Sequence, residues 1–496
     1  MSSLNDAFSI PARSQNALAW PRRRALLAPC GVTLFILAAA VLLRVAAASG
    51  ELWLDEASTL RYVENVSSLP DVFVKIHADN NHFLTSAYIY LVGTGASTIA
   101  LRFSSILFGA MTVLAAKRAA GRYGQPAGVI AALLAAFSYF FVHYGSEARG
   151  YAGMMLAVFL AYDVLQTWLE RGDRRSLFLF AAAVCFGTFS HLTMVEPTAI
   201  LWLSATARLL AEGADLRVQL RRAALLAGAG VLGTAPAMAC AIYDFHAPDY
   251  HMGWVVPFSF EMLGQGLAGL DRTTLGFPEA LSDAPTIALT AAFALIMLLL
   301  APAPARWFPA LTLFGLPPLH AAFGFLSQQY PRFHLVQAVA LVLLAGMGLG
   351  ALWERKGAAR MAAVVALALF GLGQALNLVE FFRFGRGAYT AALMRMSEHG
   401  PAAYAIDPDS APFEVPRTAS LIARRAGVSA EFVTEKDFCA KQPQWLLLAT
   451  YVAVPRTFPE QTTVGPAECA ARFQRDSDYP AWGLSGTHWA LYRRAS

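Results

Sequence analysis

Residues 31–59 read GVTLFILAAAVLLRVAAASGELWLDEAST, an apolar run interrupted late by Arg44 that gives way to the acidic pair Asp55 and Glu56. An α-helix needs about 20 apolar residues to cross about 30 Å of hydrocarbon, and this run has that length. Ala47, Ala48 and Ser49 offer the small residues of a signal-peptidase site. The polar leader ahead of the run and Arg44 within it favour a retained anchor instead. Runs of the same kind recur along the 496 residues, centred near positions 38, 109, 134, 158, 184, 203, 233, 292, 317, 342 and 370. They predict an α-helical polytopic membrane protein with about 11 transmembrane helices.

Composition agrees. Hydrophobic residues make up 57% of the chain and charged residues 14%, with a mean hydropathy of +0.47, whereas soluble domains carry roughly 25% charged residues. The 38 Lys and Arg nearly balance 33 Asp and Glu, and no basic cluster is interleaved with aromatics, so a nucleic-acid partner is excluded. Five cysteines show no metal-ligand spacing. Neither a phosphate-binding GxxxxGKS/T loop nor a dinucleotide-binding GxGxxG follows a strand.

Lys and Arg mark the cytoplasmic loops. They cluster at Arg22–Arg24, at Lys117, Arg118 and Arg122, at Arg171, Arg174 and Arg175, at Arg208, Arg217, Arg221 and Arg222, and at Arg355, Lys356 and Arg360. These groups fall in alternate loops, which places the N-terminus in the cytoplasm and, with an odd helix count, the C-terminus outside. The bias of Arg over Lys and the abundance of Ala look like a high-GC bacterial genome, and the expected location is a bacterial inner membrane. The expected organisation is a cytoplasmic leader over 1–24, a transmembrane module over 25–385 with long outer loops at 51–98 and 245–283, and a soluble periplasmic domain over 386–496. In the first outer loop, Leu60, Val63 and Val66, and then Phe83, Ala87, Ile89 and Tyr90, are spaced for short helices lying in the interface. From Met396 onward 21 charges fall in 101 residues. Alternating segments there (strands near 404–406, 431–434, 445–449 and 489–492 and a helix at 418–426) predict a small α/β or α+β domain.

Asp55 and Glu56 follow the first span directly, between Trp53–Leu54 and Ala57. A carboxylate held at the bilayer surface is desolvated, which makes carboxylates better general bases. His77, Asp79, Asn80, Asn81 and His82 form a polar cluster in an apolar loop, with the mixed O and N donors that Mg, Mn or Zn sites use. Glu147, Arg149 and Tyr151 sit at the outer junction of two spans, Tyr330, Arg332 and His334 at the outer start of another, and His191 at the outer end of a fifth. Each alone is consistent with a charge marking the interface. Several ionisable groups converging on one face near membrane depth point to a site.

The ordered series LWLDEAST (52–59), HADNNHFLTSAYIYLV (77–92), ALRFSSILFGAMTVLAAKRAAGRYG (100–124), HYGSEARGYAGMMLAVFLA (143–161), FSHLTMV (189–195) and QYPRFHL (329–335) resembles the bacterial GT-C superfamily of glycosyltransferases of family 39 type. These are relatives of protein O-mannosyltransferases and of the aminoarabinose transferase that modifies lipid A. The resemblance covers about residues 20–350. The family's first loop commonly reads His-Pro-Pro, where here His82 is followed by Phe83 and Leu84.

The resemblance implies an inverting enzyme that moves a sugar from a polyprenyl-phosphate lipid to an acceptor on the periplasmic side of the membrane. Under it Asp55, with Glu56, supplies the catalytic carboxylate, and Arg149, Arg332 and Tyr330 take the donor phosphate. His82, Glu147, Tyr151 and His191 contact substrate or support these groups, and Glu56, His82 and Glu147 are the candidate ligands of a divalent cation. Two other readings stand beside it: a polytopic transporter, and a non-catalytic envelope assembly protein. Cys439 and Cys469, the two cysteines of the soluble domain, favour a disulfide in an oxidising compartment, with two buried thiols as the alternative.

Overall fold

The computed structural model describes residues 30–212, 215–253, 255–407, 414–451 and 457–495. The leader expected over 1–24 lies outside the described residues. Among the described residues seven helices are long and apolar enough to cross a membrane: Gly31–Ala48, Thr98–Gly121, Tyr151–Arg171, Leu216–Phe245, Asp283–Leu300, Pro331–Glu354 and the one that begins at Ala358. The chain is therefore a multi-pass membrane protein. The other four expected positions hold shorter or interrupted helices. Gln125–Phe137 stops at Ser138 and resumes as Tyr139–Tyr144, and Arg174–Ser190 and Val195–Ala211 have 17 residues each. Trp307–Ala310 passes through a π turn, Leu311–Gly315, into Leu316–Phe323, where Pro317 and Pro318 cannot supply the backbone donors of a regular helix.

Leu335–Glu354 is the central post of the bundle, and every residue from Leu335 to Gly350 is buried. It packs against Gln125–Phe137 through small residues. A Cβ on Gly346 would come within 2.7 Å of the Ala131 Cβ, and one on Gly350 within 2.6 Å of the Ala127 backbone, so van der Waals contact between backbones replaces side-chain interdigitation. Leu34, Phe35, Phe178, Leu232, Leu299 and Leu369 are exposed on the outside of the bundle, the surface lipid would cover.

Arg44 is fully buried. Its guanidinium donates to the carbonyls of Ala135 at 2.9 Å and Ala136 at 3.3 Å, groups left without helical donors by the break at Ser138. A charge inside the first span thus closes the end of a neighbouring helix.

The expected interfacial helices form, as Leu54–Glu64 and Phe83–Val92, but their apolar faces turn inward. Leu60, Val63 and Ile89 are buried together with Leu101, Ala148 and Leu421. The second long loop is partly ordered as the helix Phe260–Leu275, and it is tied to the first by backbone hydrogen bonds from His251 to His77 (2.8 Å) and from Asp79 to His251 (3.2 Å).

The C-terminal region is a six-stranded mixed sheet in the order β2-β1-β3-β6-β5-β4. Its strands are β1 (Ala402–Ile406), β2 (Ala430–Phe432), β3 (Trp445–Tyr451), β4 (Gln461–Val464), β5 (Ala471–Tyr479) and β6 (Thr487–Arg494). β1 runs parallel to β2 and β3, and the other pairs are antiparallel. The helix Glu414–Ala426 crosses between β1 and β2 and buries Val415, Ala419 and Ile422 against Tyr404, Ile406 and Leu447. Trp53 and Leu54 belong to the same cluster, so the sheet packs directly on the start of the 54–64 helix.

Cys439 and Cys469 are joined in a disulfide that closes 30 residues. A loop of that size stabilises by about 3 to 4 kcal/mol when chain entropy is counted. Replacing both cysteines by Ala should therefore lower the stability of the sheet domain by that order, read as earlier proteolysis of 430–495 in limited digestion. An unchanged digestion midpoint would contradict it.

Candidate active site

The end of the first span is held by Arg102, from the Thr98–Gly121 helix. All its donors are used: Nε to Glu56 Oε1 at 2.7 Å, Nη2 to Glu56 Oε2 at 2.5 Å and Glu51 O at 2.7 Å, and Nη1 to the carbonyls of Ala48 at 2.9 Å and Gly50 at 2.7 Å. Glu56 also accepts the backbone N–H of Trp53 at 3.0 Å and of Ala148 at 2.7 Å. Both partners are wholly buried. Glu56, expected to share the catalytic role, is thus committed on both oxygens to fixing the turn between the first span and the 54–64 helix. This is a correction with a simple origin: successive helical residues point about 100° apart, and Glu56 takes the inward direction.

Asp55 takes the other direction. Its carboxylate is 19% exposed and its Oδ2 lies 3.4 Å from Arg149 Nη2. Arg149 is almost fully buried; it also donates to Asn80 Oδ1 and, at 3.1 Å, to the Tyr151 hydroxyl. Asn80 in turn donates to the Asp55 carbonyl at 3.1 Å. Arg332, on the 3₁₀ turn Pro331–His334, reaches Trp53, two residues before Asp55. Its guanidinium stands 4.2 Å from the Tyr330 ring centroid and 5.8 Å from that of Trp53. Among the described residues Arg332 has no hydrogen bond and no ion pair. A cation placed on aromatic faces and left without an anion is arranged to receive one.

His82, His191 and Tyr151 stack along one wall, with ring centroids 4.8 Å apart for the two histidines and 5.2 Å for Tyr151 and His191. His82 is buried and bonded to the Ser190 carbonyl through one ring nitrogen, and its Nε2 has no partner. Burial, with Arg149 and His191 nearby, holds the His82 ring well below the ordinary histidine range. The unfolded chain therefore binds this proton first. Stability is complete above about pH 6.5 and falls as the pH drops below it, by up to about 1.4 kcal/mol per unit for one such group. Thermal midpoints measured between pH 7 and 5 should fall less steeply for His82→Asn; an identical slope would remove His82 as the source.

The expected metal ligands do not assemble. Glu56 is held by Arg102, Glu147 is 2.9 Å from His143 and 3.1 Å from Arg386, and His82 is held by Ser190. Among the described residues no group of three or more His, Cys, Asp or Glu side chains is placed to hold a metal ion. The polar run 77–82 is divided as well. His77 pairs with Asp249 at 2.7 Å, Asp79 accepts from Gly253 at 3.1 Å, and Asn81 donates to the Val72 carbonyl at 2.9 Å. Glu56, His82 and Glu147 therefore do not form one site for a divalent cation.

Arg102, His143 and Arg386 were not singled out from the sequence. Arg102 carried the one available signal, a positive charge at the end of a span that the loop charges place on the outer side.

By sequence the chain matches no family model and no curated protein. Solved structures do resemble it. ArnT from Cupriavidus metallidurans in the apo state superposes with a TM-score of 0.52 at 14% identity, over 84% of this chain and 93% of that one. The same protein bound to undecaprenyl phosphate gives 0.47 at 13%, over 94% and 98%. The Archaeoglobus fulgidus oligosaccharyltransferase crystallised with Zn and sulfate gives 0.45 at 12%, over 84% and 67%. The first of these establishes the fold: this chain is folded as the apo ArnT structure is.

Proposed function

We propose that this chain is an inverting glycosyltransferase that moves a sugar from a polyprenyl-phosphate donor to an acceptor in the cell envelope, on the periplasmic side of a bacterial inner membrane. The observation that carries the reading is the meeting of opposite charges at one place: a partly exposed carboxylate, Asp55, beside Arg149, with Arg332 unpaired on the rings of Tyr330 and Trp53 close by. The chemistry follows from that arrangement. Asp55 takes the proton of an acceptor hydroxyl as its oxygen attacks the anomeric carbon from the side opposite the phosphate. The C–O bond to the phosphate breaks with its electron pair, the anomeric configuration inverts, and polyprenyl phosphate leaves against Arg332 and Arg149. General-base help of this kind is worth about 10²- to 10⁴-fold, and fixed cations supply the charge stabilisation the leaving group needs. No metal is required in this scheme.

The periplasmic assignment follows from the loop charges, with 18 Lys and Arg in predicted inner segments against 10 in predicted outer ones before Met396. Single cysteines on the sheet domain should be labelled by an impermeant maleimide in intact cells. The activity itself is tested by incubating the protein in nanodiscs with undecaprenyl-phosphate-linked pentose and hexose donors and an envelope lipid extract. Donor-dependent transfer with inversion supports the reading, and its absence across donors and extracts, with the lipid phosphate failing to bind, would sink it.

A further inference from the structure

Among the buried ionisable groups away from Asp55, one is on a segment joining the bundle to the sheet. Arg386 follows the last long helix, Ala358–Phe384, and is 3% exposed. It reaches back to the turn beside Arg149. Nε meets Glu147 Oε1 at 3.1 Å, Nη1 donates to the Ala47 carbonyl at 2.9 Å, and Nη2 donates to the His143 carbonyl at 3.1 Å and the Ser146 hydroxyl at 2.9 Å. These contacts surround the turn 145–150, which places Ala148 N on Glu56 and Arg149 beside Asp55.

The sheet grips the same segment from its other side. Trp482 N donates to the Gly385 carbonyl at 2.9 Å and Thr487 N to the Arg386 carbonyl at 3.0 Å. Gly483, with φ +102°, sits so close to Tyr139 that a Cβ would fall 1.6 Å from the hydroxyl. The second wall is bound to this region too: Thr390 N donates to the Glu51 carboxylate at 2.9 Å, and Trp53 packs in one cluster with Tyr389 and Trp489.

We infer that the C-terminal sheet domain is part of the catalytic apparatus, and that Arg386, through its ion pair with Glu147, is a positioning residue that holds the 145–150 turn so that Arg149 faces Asp55. The inference rests on the function proposed above only for its kinetic consequence, since the placement of the turn can be read without activity. A pair buried this deeply is costly to break from one side, because the remaining charge is stranded, whereas replacing both members by uncharged groups of similar volume is often tolerated. The decisive variant is therefore the double replacement Arg386→Met with Glu147→Gln.

In this variant the thermal midpoint should stay within a few degrees of the wild type. Donor KM should change little while kcat falls about 10²-fold, the order expected when a reacting group is displaced by about 1 Å. Arg386→Lys alone, which keeps the charge opposite Glu147, should recover part of kcat. Amide hydrogen exchange of the 145–150 segment should quicken at least tenfold in the double variant. A double variant with wild-type kcat and wild-type exchange would overturn the inference. Wild-type protein that transfers no sugar would fail the function reading, and the exchange measurement would still decide whether Arg386 positions the turn.

Discussion

Asp55→Asn is expected to lower turnover by about 10²- to 10⁴-fold while leaving donor binding and the melting temperature near wild type. The substitution preserves the shape beside Arg149, which stands 3.4 Å from Oδ2, and replaces the basic carboxylate with an uncharged amide that cannot take the acceptor's proton. Because the carboxylate is partly exposed and its backbone is fixed independently by Glu56 and Arg102, the loss belongs to chemistry rather than folding. The matching control is Glu56→Gln. It should damage expression and stability, since it weakens a wholly buried ion pair, and should leave any surviving protein with a normal pH profile. If Glu56→Gln and Asp55→Asn give the same phenotype, the division of labour between the two carboxylates is wrong.

Arg332→Ala should act on binding instead. A cation lost opposite a desolvated phosphate costs about 2 to 5 kcal/mol, or about thirtyfold to a few thousandfold in donor affinity. Arg332 has no hydrogen bond or ion pair among the described residues and touches the aromatic faces of Tyr330, Trp53 and Phe333, so its removal leaves no partner stranded and the fold should hold. The measurement is the dissociation constant for undecaprenyl phosphate in nanodiscs, with Arg332→Lys as companion. Lys keeps the charge but not the planar stacking, and should fall between the two. Equal affinity for Arg332→Ala and wild type would place the phosphate elsewhere.

What could be read from the sequence was set by how local the signal was. The convergence of Asp55, Arg149 and Arg332 follows from helix ends at one membrane depth, and each sits at such an end. The roles of Glu56 and Glu147 did not follow, because their partners Arg102 and Arg386 lie 46 and 239 positions away. The resemblance offered Glu56, His82 and Glu147 as metal ligands, but Glu56 is bound by Arg102, and Glu147 by His143 and Arg386. The helix Glu414–Ala426 and strands β1, β3 and β6 were visible as apolar segments. β4 and β5 were not: QTTV is a short edge strand, and ARFQRDSDY alternates burial with charge, a pattern easily taken for loop. Ser138 and the π turn before Pro317 interrupt runs whose hydropathy alone suggests continuous spans.

The most direct test of the central claim is a cryo-EM structure of the protein in nanodiscs saturated with undecaprenyl phosphate. The account predicts the phosphate bound between Arg332 and Arg149, near the Trp53 ring, with Asp55 facing it across the place a sugar and an acceptor hydroxyl would take. A lipid phosphate bound elsewhere on the bundle at saturation, with neither arginine touching it, would contradict it.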